Sequence, residues 1–138
     1  MRSKKGFTLI EMLLVIAVIA ILVAIIIPIV ANSVRKANAS TDAANLRANL
    51  AELNIEMASG QKTINEIVAS MDTPACKLDP DAVMCVVYEE PSFVNVYFVS
   101  GSTYYSLEYL SDVATNGESS LSTAKPSFPN GTWYTIGG

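Results

Sequence analysis

The sequence predicts an α+β fold: a long N-terminal α-helix, about residues 7–59, whose C-terminal half packs on a small antiparallel β-sheet. Three observations predict this arrangement. The chain opens with a long apolar run, continues with apolar residues at helical spacing, and then changes to segments rich in Val, Tyr and Phe. A helical period followed by β-branched and aromatic segments indicates that helix comes first and sheet second.

The first part of the predicted helix is as apolar as a membrane span. No polar residue occurs from Met12 to Ile27, and the run continues past Pro28 to Ala31. Twenty helical residues rise about 30 Å, which is the thickness of a bilayer hydrocarbon core. Pro28 removes one backbone hydrogen bond and favours a kink. We therefore expect residues 7–31 to lie in lipid or among neighbouring subunits.

The second part of the same helix is amphipathic. Its apolar residues recur at steps of four, three and four, at Leu46, Leu50, Leu53 and Met57. This spacing places them in one stripe, which is typical of a helix face that covers a core. Gly60 follows as a natural C-cap.

A second, shorter helix is predicted directly afterwards. Thr63 and Glu66 form the T-x-x-E signature of a capping box, and Thr73-Pro74 ends the segment. Its apolar residues fall on one helical face: Ile64, Ile67, Val68 and Met71.

Three strands are predicted next, at residues 83–88, 92–99 and 103–110. Glu90-Pro91 and residues 100–102 mark tight connections, so the strands are expected to form an antiparallel meander. A late Asn130-Gly131 turn leads into a possible edge strand at residues 133–136.

Composition argues against an enzyme and against general nucleic-acid binding. The chain has no histidine and only two cysteines, which excludes His-based nucleophile systems and His-based zinc sites. Three of its nine Lys and Arg residues lie in residues 1–6, so six cations face thirteen acids in the remainder. Nucleic-acid binding needs clustered cations instead. We expect no catalytic residue, no cofactor and no specific nucleic-acid partner.

One acidic residue, Glu11, interrupts the apolar N-terminal segment. A carboxylate at the centre of a membrane helix costs about 2.5–3.5 kcal/mol. The segment KKGFTLIEMLLVIAVIAILVAIIIP around it closely resembles the class III signal of type IV pilins and their pseudopilin relatives. The resemblance is carried by a basic leader, Gly6, Phe7, Thr8, Glu11, the unbroken apolar run and Pro28.

The resemblance implies how the chain is processed and used. A membrane-embedded prepilin peptidase would cut between Gly6 and Phe7, and the new amine of Phe7 would be N-methylated. Lys4 and Lys5 would hold the leader, which also contains Arg2, on the cytoplasmic side. Glu11 would meet the N-terminal amine of a neighbouring subunit and set the assembly register, since two opposite charges offset each other's desolvation.

The resemblance also implies a domain organisation and a set of partners. Residues 1–6 form the cleaved leader, 7–31 the transmembrane and filament-core half of the helix, and 32–138 the pilin headgroup. The subunit would wait in the cytoplasmic membrane and then join copies of itself in an extracellular pilus, through an assembly platform and its ATPase. A pseudopilin of a secretion or DNA-uptake system is the nearest alternative. An uncleaved, membrane-anchored adhesive or sensing domain is a more distant one.

Three further groups of residues have both a functional and a structural interpretation. Cys76 and Cys85 are expected to form a disulfide, with two free thiols as the alternative. Short-spaced carboxylates suggest calcium, but we expect no metal there: Asp79, Asp81, Glu89 and Glu90. The aromatic residues are expected to pack the sheet on the amphipathic helix: Tyr97, Phe98, Tyr104, Tyr105, Tyr109 and Trp133.

Overall fold

The computed structural model describes residues 5–90 and 93–136. Within these residues the chain forms seven elements: α1 (Leu9–Ser59), α2 (Ile64–Ser70), β1 (Val83–Glu89), β2 (Phe93–Ser100), β3 (Thr103–Tyr105), α3 (Leu107–Asn116) and β4 (Thr132–Thr135). The chain divides into two compact units, one ending at Val34 and one beginning at Arg35. Arg2 and Lys4 of the leader, and Pro91 of the predicted turn, lie outside the described residues.

The N-terminal unit consists of the first half of α1 and the residues before it. The helix begins at Leu9, two residues later than predicted, and includes Pro28 in its interior. Every residue from Leu9 to Val34 is exposed. By length and composition, α1 can cross a membrane, and none of its most apolar 18-residue window is buried.

The C-terminal unit contains a four-stranded sheet in the order β3-β2-β1-β4. All neighbouring strands are antiparallel, so the predicted meander is confirmed. β4 pairs with β1 through residues such as Tyr134, which lies opposite Val86, and it forms one edge of the sheet as predicted. Gly131, directly before β4, is closely packed: an added Cβ there would lie 2.7 Å from the Cβ of Phe128.

One face of the sheet forms the main core with α1 and α2. From the sheet, Met84, Val86, Val96 and Phe98 are buried in this core. The predicted helical stripe is confirmed, because Leu46 and Leu53 are fully buried while Leu50 and Met57 pack against the same core at its margin. Burying a large aliphatic side chain contributes about 1.5–3 kcal/mol, so this stripe is a main source of stability for the unit.

The predicted short helix is present as α2. The carboxylate of Glu66 accepts hydrogen bonds from the backbone N–H and the hydroxyl of Thr63, at 2.8 and 2.9 Å. The backbone N–H of Thr63 lowers the pKa of Glu66, because it stabilises the ionised form. Ile67 and Val68 are buried, as the predicted apolar face requires.

The prediction of a strand over residues 103–110 is wrong beyond Tyr105. Residues Leu107–Asn116 instead form α3. The hydroxyl of Ser106 accepts a hydrogen bond from the backbone N–H of Tyr109 at 3.1 Å, which caps the helix start. Gly117, with φ of +88°, ends it and donates to the carbonyl of Val113. Strong local capping therefore overrides the strand propensity of the tyrosines.

Removing the cap of α3 should destabilise the C-terminal unit. We expect Ser106→Ala to lower the free energy of unfolding by about 1 kcal/mol, because the backbone N–H of Tyr109 loses its acceptor. Urea unfolding of the full chain in detergent, followed by tyrosine and tryptophan fluorescence, measures this change. Ser102→Ala, in the exposed β2–β3 turn, is the matched control and should leave the midpoint unchanged. Equal midpoints for wild type and Ser106→Ala would contradict the capping assignment.

Candidate functional site

The predicted cleavage point lies just outside the long helix. Gly6 and Phe7 are exposed and precede the first helical residue, Leu9. The structure therefore places the Gly6–Phe7 peptide bond on an accessible, non-helical segment.

Glu11 has a local partner that sequence reasoning did not identify. One oxygen of its carboxylate, Oε2, accepts a hydrogen bond from the backbone N–H of Thr8 at 2.7 Å, and the Thr8 hydroxyl accepts from the N–H of Glu11 at 3.3 Å. This is a capping box at the start of α1, and a carboxylate there also opposes the positive end of the helix dipole. The signature T-L-I-E is present in the sequence and has the same T-x-x-E spacing as Thr63 and Glu66. A carboxylate has about four acceptor sites, so capping leaves room for a further cation.

The apolar part of α1 presents large side chains on all sides. Among the exposed ones are Leu14, Ile21, Ile25 and Ile29. An exposed apolar surface of this kind marks a site for lipid or for protein association. Near its end, the Ser33 hydroxyl donates to the carbonyl of Ile29 at 3.0 Å, one residue beyond Pro28. Back-bonding of this kind often bends helices slightly. The kink at Pro28 stays a prediction.

A second arrangement, which we call the Asp42 latch, ties α1 to the segment before β1. Asp42 is completely buried. Its Oδ1 accepts from the backbone N–H of Lys77, and its Oδ2 from the N–H of Leu78, both at 2.7 Å. The thiol of Cys76 donates to Oδ2 at 3.2 Å. Three donors thus compensate for the burial of one carboxylate, which without them is strongly unfavourable.

The Asp42 latch continues into a second carboxylate. Asp79 accepts from the hydroxyl of Tyr105 at 3.0 Å, and its backbone N–H donates to the sulfur of Cys76 at 3.4 Å. Burial and the nearby Asp79 raise the pKa of Tyr105 to about 12. Sequence analysis did not select Asp42. The signal was its position on the buried side of α1, four residues before Leu46.

The predicted disulfide between Cys76 and Cys85 is absent, and both are buried free thiols. Cys76 belongs to the core on the helix side of the sheet. Cys85 lies on β1 between Met84 and Val86, which face that core, so its side chain points to the opposite face. The sulfur of Cys85 lies 3.9 Å from the Thr135 hydroxyl. The sheet therefore separates the two thiols.

The aromatic residues occupy both faces of the sheet, so the prediction of one core holds for only half of them. Phe98 is fully buried on the helix side, where Tyr105 and Tyr109 pack at the margin of the core. The remaining three lie on the other face and form a cluster with Phe128: Tyr97, Tyr104 and Trp133.

The carboxylates weighed as calcium ligands are engaged in hydrogen bonds or dispersed. Asp79 accepts from the backbone N–H of Asp81 at 3.1 Å in addition to Tyr105. Within residues 5–90 and 93–136, no group of three or more Asp, Glu, Cys or His side chains is arranged to hold a metal ion.

The comparison with protein families concerns the same N-terminal segment that contains the exposed Gly6–Phe7 bond and the start of α1. Residues 1–27 match the model of the prokaryotic N-terminal methylation motif. This motif is the class III signal of type IV pilins and pseudopilins, so the chain carries a prepilin-type signal on a pilin-like α+β fold. No curated protein matches the chain. No solved structure matches it either.

The Asp42 latch should be a large contributor to the stability of the C-terminal unit. We expect Asp42→Asn to lower the free energy of unfolding by about 2–4 kcal/mol, because the amide NH₂ group faces backbone donors where an acceptor is needed. Urea unfolding of the full chain in detergent measures the loss. Asp81→Asn, an exposed acid in the same segment, should have little effect. Equal losses for the two variants would show that the latch contributes nothing specific.

The thiols should be unreactive in the folded chain. Burial raises the pKa of both cysteines, that of Cys76 to about 12, with Asp42 adding to the effect. We expect iodoacetamide at pH 8 to alkylate neither thiol until urea unfolds the protein, with intact-mass spectrometry as the measurement. The stability that comes from keeping Cys76 protonated is complete below the unfolded pKa near 9 and is lost as the pH rises to about 12. If the urea-unfolded chain is alkylated only after a reductant is added, the two cysteines form a disulfide and the free-thiol assignment is wrong.

Proposed function

We propose that this chain is a structural subunit of a type IV pilus, cut by a prepilin peptidase and assembled through its N-terminal helix. The observation that carries the proposal is the combination of the methylation motif with a helix that is exposed from Leu9 to Ala31 and apolar there except at Glu11. Such a surface has to be covered, first by lipid and then by the helices of neighbouring copies. No enzymatic step is part of this function.

Simple energetics explains why the exposed helix has to be covered, but does not choose between lipid and neighbouring copies. Apolar burial contributes about 25 cal/mol per Å², and each large side chain in this segment exposes roughly half or more of its surface in the single chain. Transfer from lipid to a filament core gains little apolar free energy, since lipid tails are equally apolar. Packing and polar pairing therefore have to provide the specificity of assembly.

Glu11 supplies that polar pairing in our proposal. Its capping bond to Thr8 uses one lone-pair site and leaves others for the methylated amine of Phe7 on a neighbouring subunit. A subunit in register pairs the two charges, whereas a subunit out of register leaves both desolvated and unpaired. Pro28, within the same helix, is proposed to kink it and so adjust how the helices pack.

The proposed route defines partners and location. The precursor lies in the cytoplasmic membrane with residues 1–6 on the cytoplasmic side, where the peptidase cuts after Gly6 and Phe7 is methylated. An assembly platform and its ATPase then extract the subunit into an extracellular filament of identical copies. A pseudopilin carries the same signal, and its filament would remain within the cell envelope.

The proposal is tested by mass spectrometry of the N-terminal peptide in material sheared from cells. A peptide beginning at N-methylated Phe7 supports a pilus subunit. The same peptide confined to the cell envelope supports a pseudopilin. An intact N-terminus that includes residues 1–6, on protein retained in membranes, overturns both and favours an anchored domain.

Two variants separate the capping role of Glu11 from its role in register. Glu11→Gln keeps a side chain that can accept from Thr8 but removes the charge, because Gln also serves in capping boxes. Thr8→Ala removes the Thr8 hydroxyl and keeps the carboxylate. We expect Glu11→Gln to be cut yet absent from sheared filaments, and Thr8→Ala to assemble, with immunoblots of both fractions as the measurement. Normal filaments from Glu11→Gln would contradict the register role.

A further inference from the structure

The face of the sheet opposite α1 carries an open cavity of about 280 Å³. Two tyrosine rings, Tyr97 and Tyr104, line it together with Ser106, Ser122 and Lys125. The cavity lies between the sheet and the segment 117–131, which has no helix or strand. This segment is held against the sheet edge, because the backbone N–H of Tyr104 donates to the carbonyl of Thr123 at 2.8 Å. Long irregular segments held in this way are commonly functional.

The polar groups of the cavity are arranged to donate hydrogen bonds. The hydroxyl of Ser106 accepts from the N–H of Tyr109, and that of Ser122 from the N–H of Ala124, each at 3.1 Å. An oxygen that accepts a backbone bond keeps its own hydrogen for donation. The ammonium group of Lys125 adds three more donors. A ligand that fits these groups therefore carries acceptor oxygens.

The charge of Lys125 is unusual for its surroundings. It is the only Lys or Arg after Lys77, in a stretch that contains seven Asp and Glu residues. Its ammonium group lies 5.8 Å from the centroid of the Trp133 ring, within the range of a cation–π interaction. The contact holds the one positive charge of this stretch beside the aromatic cavity.

The aromatic rings define the other half of the ligand. Tyr104 is half-buried and packs edge-on against Trp133 at 5.4 Å between centroids, so it is held in position while part of its ring remains accessible. A preformed cavity with aromatic walls and a few convergent polar groups is the usual form of a small-ligand site. Aromatic side chains pack against the apolar C–H face of a sugar ring, and hydrogen-bond donors at the edge of the cavity bind the oxygens of that ring.

We propose that this cavity binds a carboxylated pyranose, such as a uronic acid residue of a polysaccharide. The sugar ring lies against Tyr104, its hydroxyl and ring oxygens accept from Ser106 and Ser122, and its carboxylate pairs with Lys125. The negative charge of Glu108 acts on Tyr97, although Glu108 does not itself line the cavity. This charge repels an anionic ligand. All of its residues lie in the C-terminal unit, outside the apolar helix segment proposed to form the filament core.

The test is isothermal titration calorimetry with the full chain in detergent micelles. One probe is a hyaluronan tetrasaccharide, which contains glucuronate, and the other is fully N-acetylated chitotetraose, a neutral tetrasaccharide of N-acetylglucosamine that is called chitotetraose below. We expect the hyaluronan fragment to bind and chitotetraose to bind at least about tenfold more weakly, since charge-assisted hydrogen bonds are stronger than neutral ones. Glu108→Gln should strengthen binding of the charged probe.

Matched lysine variants distinguish a site from general charge attraction. Lys125→Gln should weaken hyaluronan binding about tenfold and remove the preference over chitotetraose, with only a small change in thermal midpoint from the lost contact with Trp133. Lys77→Gln changes an exposed lysine that does not line the cavity, and it should leave binding unchanged. Absence of heat with millimolar hyaluronan fragment overturns the proposal, and so does equal weakening by the two variants.

Discussion

A single helix, α1, has to satisfy two different surroundings, and the rest of the structure follows from that constraint. Before Arg35 its apolar side chains are all exposed and require lipid or other protein. After Lys36 the buried residues Ala43, Leu46 and Leu53 belong to the core that α1 shares with the sheet. One covalent element thus carries an association surface and a folding core. Substitutions in the first part are expected to affect assembly, and those in the second part to affect folding.

The alternation of side chains along the strands organises the C-terminal unit. Even-numbered residues of β1 and β2, such as Val86 and Val96, face the helices, and the odd-numbered Cys85 and Tyr97 face the other way. This single rule separates the two thiols and divides the aromatic residues into two groups. It also creates an aromatic face that the helices do not cover, and that the segment 117–131 partly encloses.

Much of this architecture could be predicted because its signals are local and periodic. The stripe from Leu46 to Met57, the T-x-x-E cap of α2 and the first two strands each depend on spacing within a few residues. The N-terminal motif is equally local. The predicted third strand is too long because the β propensity of Tyr109 resembles that of Tyr104 and Tyr105. Ser106 and Gly117 instead mark the two ends of a helix.

The remaining errors concern contacts between distant parts of the chain. Cys76 and Cys85 are close in sequence, but the sheet lies between them. Their separation depends on which face of β1 carries the Cys85 side chain, and the number of residues between the cysteines does not determine that face. Asp42 and its donors are 34 to 36 residues apart. The residues around Asp42 do not indicate which groups will donate hydrogen bonds to it. Only its position on the buried face of α1 indicates that its carboxylate needs donors.

The Asp42 latch also has a consequence for local dynamics. Lys77 and Leu78 lie outside any helix or strand, where backbone amides ordinarily exchange their hydrogens with solvent quickly. Here both amides donate to a buried carboxylate on α1, so they can exchange only when the segment separates from the helix. The exchange rates of these two amides therefore measure how often the segment around Lys77 and Leu78 separates from α1.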